Sequence, residues 1–326
     1  MTPSDRLPAI DVIKAASIVA VLLTHGVPGF FDRPLTPSEL AALLLTGFHV
    51  PAFLFVAGLS SHADSPVGWR RVADRWRRLL PPYFVVTAVT WLAGLVEFPT
   101  PRRFVFKIVT GATFGHFYFV PVLAFCFLCL PVLSRLSTRG LLVLAGAIAI
   151  GAEMLWAHPA WRLSDMLFWQ VRNPILQFHL GYFVLGVAAD RHRRRIARID
   201  RHARPAVLAG SIVGISLFVW LAATTPESVS HPTVRVAYNL TAIAFLASVA
   251  RPRIVPAAVR FLSDATLTFY LYHWFAYLAL MPSLEESLPL VARMLILTGT
   301  GLAFSTVVTL VGRWTLGRYS RVLLGV

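Results

Sequence analysis

Apolar runs of membrane-spanning length recur along the chain, and clusters of arginine or Pro/Gly turns separate them. The runs centre near residues 18, 50, 88, 126, 148, 181, 215, 241, 272 and 301. Each suits a helix of roughly 17–25 residues, the length that crosses hydrocarbon. A helix closes its own backbone hydrogen bonds, which an apolar solvent requires of any spanning segment. The pattern therefore predicts an all-α fold, a polytopic transmembrane helix bundle of about ten spans. Connections between runs are short, so chemistry must take place inside or at the edge of the bundle.

The informative positions are those that break the apolar pattern. The first run carries Asp11, Lys14 and His25. A charge near the bilayer centre costs about 2.5–3.5 kcal/mol, so ionisable groups there point to function. The step from Lys14 to His25 is about three full turns, and that from Asp11 to His25 is close to four. All three side chains thus share one face of a helix. Further along lie His49, His116, His179 and His273, and the pair Arg235 and Asn239. A lone membrane histidine serves equally well as a hydrogen-bonding contact between helices. Pro51 and Pro121 predict kinks, because proline removes a donor and crowds the carbonyl four residues back.

Composition fixes the solvent and the orientation. Of 326 residues 57% are hydrophobic, and the mean hydropathy of +0.69 is too apolar for a water-soluble domain. The net charge of +15 rests on 30 Lys and Arg. With the N-terminus inside, the basic groups alternate onto one side: Arg6, residues 70–78, Arg135 and Arg139, the 191–204 run, Arg251, Arg253 and Arg260, and Arg313 to Arg321. The positive-inside rule then puts both termini in the cytoplasm. Anionic lipid headgroups account for these basic loops without any nucleic acid. In this orientation His25, His49, His116, His179 and His273 lie between mid-depth and the outer surface, with Asp11, Lys14 and Asp264 in the inner half. Residues 15–24 resemble a signal-peptide core, but Asp11 and Lys14 interrupt its start and no small-residue cleavage site follows. The first span is therefore read as retained. Cys126 and Cys129, the only cysteines, sit in an apolar run and read as packing residues, with no metal site implied.

The basic stretch Arg70-Arg71-Val-Ala-Asp-Arg75-Trp-Arg77-Arg78 supports two readings. As a helix it presents Arg71, Arg75 and Arg78 on one face. That face suits lipid headgroups, and equally suits a phosphorylated ligand, since guanidinium matches phosphate bidentately.

Five motifs in order resemble the acyltransferase-3 family of integral membrane O-acyltransferases, in its stand-alone form without an esterase-like C-terminal domain. The opening "R-x-x-x-L-D-x-x-R" pattern reads Arg6-Leu-Pro-Ala-Ile-Asp11-Val-Ile-Lys14, followed by His25, with lysine in place of the second arginine. His49-Val-Pro51-Ala-Phe53-Leu-Phe55-Val-Ala57-Gly58 matches an "H-M-P-L-F-F-x-L-S-G" element, with Ala57 at the serine. Arg75-Trp-Arg-Arg78-Leu-Leu-Pro81 matches "R-x-x-R-x-x-P", and His116-Phe-Tyr118-Phe-Val matches "H-x-W-F-L". Ser263-Asp-Ala-Thr266-Leu-Thr-Phe-Tyr270-Leu-Tyr-His273 matches the late "S-x-x-S-x-x-I-Y-L-x-H" element.

The resemblance implies one membrane acyltransferase domain over 1–326 in a bacterial cytoplasmic membrane, among membrane lipids. It implies acyl-CoA, commonly acetyl-CoA, as co-substrate and no metal. Arg75, Arg78 and Lys14 would hold the donor, and His25 would act as general base, with Asp11 and Lys14 beside it. Neutral imidazole, with a reference pKa of about 6.5, suits that role near pH 7. His49, His116, Tyr118, Tyr272 and His273 would face a carbohydrate or glycosylated acceptor. A polytopic transporter or exporter, with the polar stripe as its path, is the non-enzymatic alternative. A membrane N-acetyltransferase acting on an amino sugar is the enzymatic one.

Overall fold

The computed structural model describes residues 7–27, 36–62, 65–97, 100–157, 174–225, 231–250, 255–284 and 288–325, without the side chains of 155–157, 174–178 and 194–202. Arg6, Arg251 and Arg253, and the side chains of Arg194, Arg195, Arg198 and Arg201, lie outside that description. The described residues are helical and contain no strand: α1 (Pro8–His25), α2 (Pro37–Thr46), α3 (His49–Leu59), α4 (Trp69–Leu92), α5 (Pro101–Thr110), α6 (Phe119–Leu133), α7 (Thr138–Ala157), α8 (Pro174–Arg191), α9 (Arg193–Thr224), α10 (Pro232–Val249), α11 (Ala257–Asp264), α12 (Thr266–Leu284), α13 (Leu290–Leu316) and α14 (Ser320–Leu323). Every expected span centre falls inside a helix. Among the described residues, five segments are both long and apolar enough to cross a membrane: Pro8–His25, Pro37–Leu59, Ala203–Thr224, Pro232–Val249 and Leu290–Leu323.

Local chemistry explains where these helices start and break. Pro8 opens α1 and Asp11 lies in its first turn, near the positive end of the helix dipole. Thr36 and Glu39 form a reciprocal capping box at the start of α2. The second span is not one helix. It breaks after Thr46 and resumes at His49, because Pro51 crowds the carbonyl of Gly47, four residues back. An unexpected element is α5, a short helix with no buried residue, capped by Thr100 and ended by Gly111 in the left-handed region. It carries Arg102, Arg103 and Lys107.

The chain forms two compact units, one of residues 1–56 and 192–308, the other of 57–191 and 309–326. In the first unit α1 is the hub, packed by α2, α10, α11 and α12. Its core face includes Ile13, Ile18, Val21 and Leu22. In the second unit α4 and α8 both pack on α6, and α7 lies along α8. Tyr83, Phe117, Leu130 and Phe183 are among its fully buried side chains.

Candidate active site

The first unit gathers the polar stripe of α1 into protein contacts. Asp11 is buried and its Oδ1 accepts from Ser263 Oγ at 2.6 Å. Lys14 is half-buried, one turn along. His25, also buried, closes the helix, and its Nδ1 lies 3.0 Å from Nε2 of His273, which has no exposed surface. The two imidazoles are nearly parallel, at 17°, with ring centres 5.1 Å apart. Trp274 sets its ring edge-on to His25 at 5.5 Å. His273 Nδ1 in turn donates to the carbonyl of Phe269, 2.9 Å away on the preceding turn of α12.

Two further features hold this pair. Tyr277, one turn after His273, stands perpendicular to its ring at 5.3 Å. Its hydroxyl donates to the Leu22 carbonyl on α1 at 2.8 Å, bonding the two histidine-bearing helices together. On α13, Gly301 leaves room for this packing. A Cβ there would stand 2.8 Å from Tyr277 Cε1 and 3.4 Å from His273 Cβ.

The helix break brings a third histidine into this centre. His49 Nδ1 donates to the Thr46 carbonyl at 2.7 Å, satisfying a group the break would otherwise leave unbonded. The Thr46 hydroxyl lies 2.7 Å from that of Thr24, next to His25. His49 is within electrostatic range of both His25 and His273. Arg235 rests against the same break: a Cβ on Gly47 would come within 2.8 Å of its Nη2. Tyr272 is buried too, but it faces Phe275 at 6.0 Å. One residue along a helix turns the side chain by about 100°, so Tyr272 and His273 look different ways.

The second unit holds the remaining candidates. The basic segment opens α4 as a helix, and its arginines separate by role. Arg71 donates to the His62 carbonyl at 3.0 Å and Arg75 to that of Ser60 at 2.7 Å. Both thereby cap the carbonyl end of α3. The Arg75 guanidinium also lies 4.8 Å above the Phe127 ring. Arg77 pairs with Asp74 on the surface at 3.4 Å, and Arg78 is exposed. A cavity of about 540 Å³ in this unit is lined by Ser65, Ser134, Arg135, Ser137 and Arg191. Arg191 is fixed there by donating to the carbonyls of Ser134 and Leu136.

The turn from α5 to α6 carries His116, buried between Phe114 and Phe117. Gly111 is obligatory in this turn. Its φ is +75°, and a Cβ would sit 2.5 Å from the Tyr118 backbone. Tyr118 stacks with the buried His179 of α8, ring centres 6.5 Å apart and planes within 10°.

Of the residues expected from sequence, the structure joins His25 with His273, sets His49 in range of both, and gives Asp11 a partner in Ser263. Sequence reasoning passed over Trp274, Tyr277, Thr24, Thr46 and Arg235 as members of this centre. Tyr277 carried a signal, since it follows His273 by four residues and so shares its helix face.

The family described as Acyltransferase domain, of the acyltransferase-3 type, matches residues 7–312. No curated protein and no solved structure gave a match.

Proposed function

Because the chain belongs to the acyltransferase-3 family through residues 7–312, and so is a membrane acyltransferase, we propose a specific transfer. An acyl group, in the first instance acetyl, moves from cytoplasmic acyl-CoA to a hydroxyl of a glycan, a lipid-linked sugar or a small glycosylated metabolite. The chain would cross a bacterial cytoplasmic membrane about ten times, with both termini in the cytoplasm.

The observation that carries this reading is the buried His25, held 3.0 Å from a second buried histidine. In the proposed step His25 takes the proton of the acceptor hydroxyl as its oxygen attacks the thioester carbonyl carbon. The carbon–sulfur bond breaks, and His25 returns the proton to the departing thiolate. Lys14 supplies a positive charge on the same helix face, and Asp11, bonded to Ser263, balances it. Arg78, exposed on α4, would meet the donor phosphates in this reading. Arg75, which binds the Ser60 carbonyl and lies over the Phe127 ring, would assist it.

The test is His25→Ala in membranes, with acetyl-CoA turnover measured over a panel of glycan and glycoside acceptors at matched protein level. The rate should fall by roughly 10²–10⁴, the usual contribution of a general base. Undiminished transfer would remove His25 from the chemistry. Arg78→Ala should raise the KM for acetyl-CoA with little change in kcat; an unchanged KM would return that arginine to lipid contact.

A further inference from the structure

For neutral rings, the chain of hydrogen bonds that joins Phe269, His273 and His25 assigns the protons. The Phe269 carbonyl can only accept, so the proton on His273 is on Nδ1. A neutral imidazole carries one N–H, which leaves the His273 Nε2 as an acceptor. That nitrogen is 3.0 Å from His25 Nδ1, which must therefore be the donor. The proton on His25 being on Nδ1, its lone pair is on Nε2.

From this chain we propose that His273 is a positioning residue that locks His25 in the tautomer whose Nε2 is the proton-accepting atom. The inference rests on the reading of His25 as general base, and adds which of its atoms works and what selects it. A fixed partner on one ring nitrogen commonly decides the role of the other. Here that partner cannot turn away. Its Nδ1 is tied to the helix backbone, the Tyr277 ring walls one side, and the close fit of Gly301 backs both side chains.

An imidazole in this place has a physical advantage over a carboxylate. Burying an ionised carboxylate in a membrane core is costly, whereas neutral His273 orients its partner with no charge at all.

The ring nitrogens can be read directly, independently of turnover. In detergent-solubilised protein labelled with ¹⁵N-histidine, the His25 signals are those lost in His25→Gln. Wild type should show a protonated Nδ1 and an unprotonated Nε2. His273→Gln, whose amide oxygen can accept from His25, should keep that pattern and most of kcat. His273→Leu should show mixed tautomers at His25 and a kcat lower by roughly 10–100-fold, a part of the general-base effect, with the KM for acetyl-CoA unchanged. Retention of the other histidine signals in His273→Leu reports an intact fold. A wild-type His25 protonated on Nε2, or a tautomer unmoved in His273→Leu, overturns the proposal. An active His25→Ala would instead overturn the reading of His25 as base.

Discussion

Helices α1 and α9 are both apolar enough to cross a membrane, and they meet opposite surroundings. The spanning window of α1 is 61% buried inside the protein, that of α9 only 17%. The buried helix is the one that carries Asp11, Lys14 and His25. In the exposed one, Ala203–Thr224 bears a single charged residue, Arg204, whose guanidinium donates to the Ser248 and Ala250 carbonyls at its end. In water the polar helix would be the outer one. Here the order is reversed, because lipid solvates apolar surface and only the protein can solvate charge. Depth of burial in such a chain therefore marks functional polarity instead of hydrophobicity.

Three substitutions probe that contrast. The largest effect is expected from Val213→Asp on the exposed face of α9, where Val213 is 67% accessible. A carboxylate mid-span there should cost about 2.5–3.5 kcal/mol. The inserted fraction, measured by membrane fractionation, should fall while acetyl-CoA turnover per inserted molecule holds. Normal insertion would mean that α9 does not face lipid. Next comes Ser263→Ala, which takes one donor from the buried Asp11 and should lower stability by about 1–3 kcal/mol. Thermal unfolding in detergent reads this as a lower Tm, and an unchanged Tm would deny the bond its structural part. Smallest is Tyr277→Phe, which removes the hydroxyl bonded to Leu22 and should cost about 0.5–1.5 kcal/mol. Its Tm should drop less than that of Ser263→Ala, and a larger drop would make α12, not α11, the main support of α1.

The helices were largely legible in the sequence because each is a run of apolar residues with punctuation at its ends, and such runs are local. Pro51 announced a kink in the second span, which the structure carries further, into a break between Thr46 and His49. The stripe on α1 could be read because helical periodicity aligns Asp11, Lys14 and His25 without any tertiary knowledge. What completes the stripe could not. His273 is 248 residues from His25 and Ser263 is 252 from Asp11, and no periodic rule spans such distances. The basic face of α4 was foreseeable from its spacing, but not that Arg71 and Arg75 would turn to the carbonyls of His62 and Ser60. The helix α5 escaped notice because its amphipathic pattern is only 10 residues long, short of the repeats that separate a helix from a polar loop.

The contact between His25 and His273 also sets a schedule for biogenesis. Ribosomes add about 5–20 residues per second. The 248 residues between the two histidines thus take roughly 12–50 s to synthesise at that rate. Throughout that interval α1 is already made, while the helices that satisfy Asp11 and His25 have not yet emerged. The first span must be sheltered by the insertion machinery until the last third of the chain arrives. Truncated or stalled chains ending before α11 would therefore leave α1 poorly retained in the bilayer.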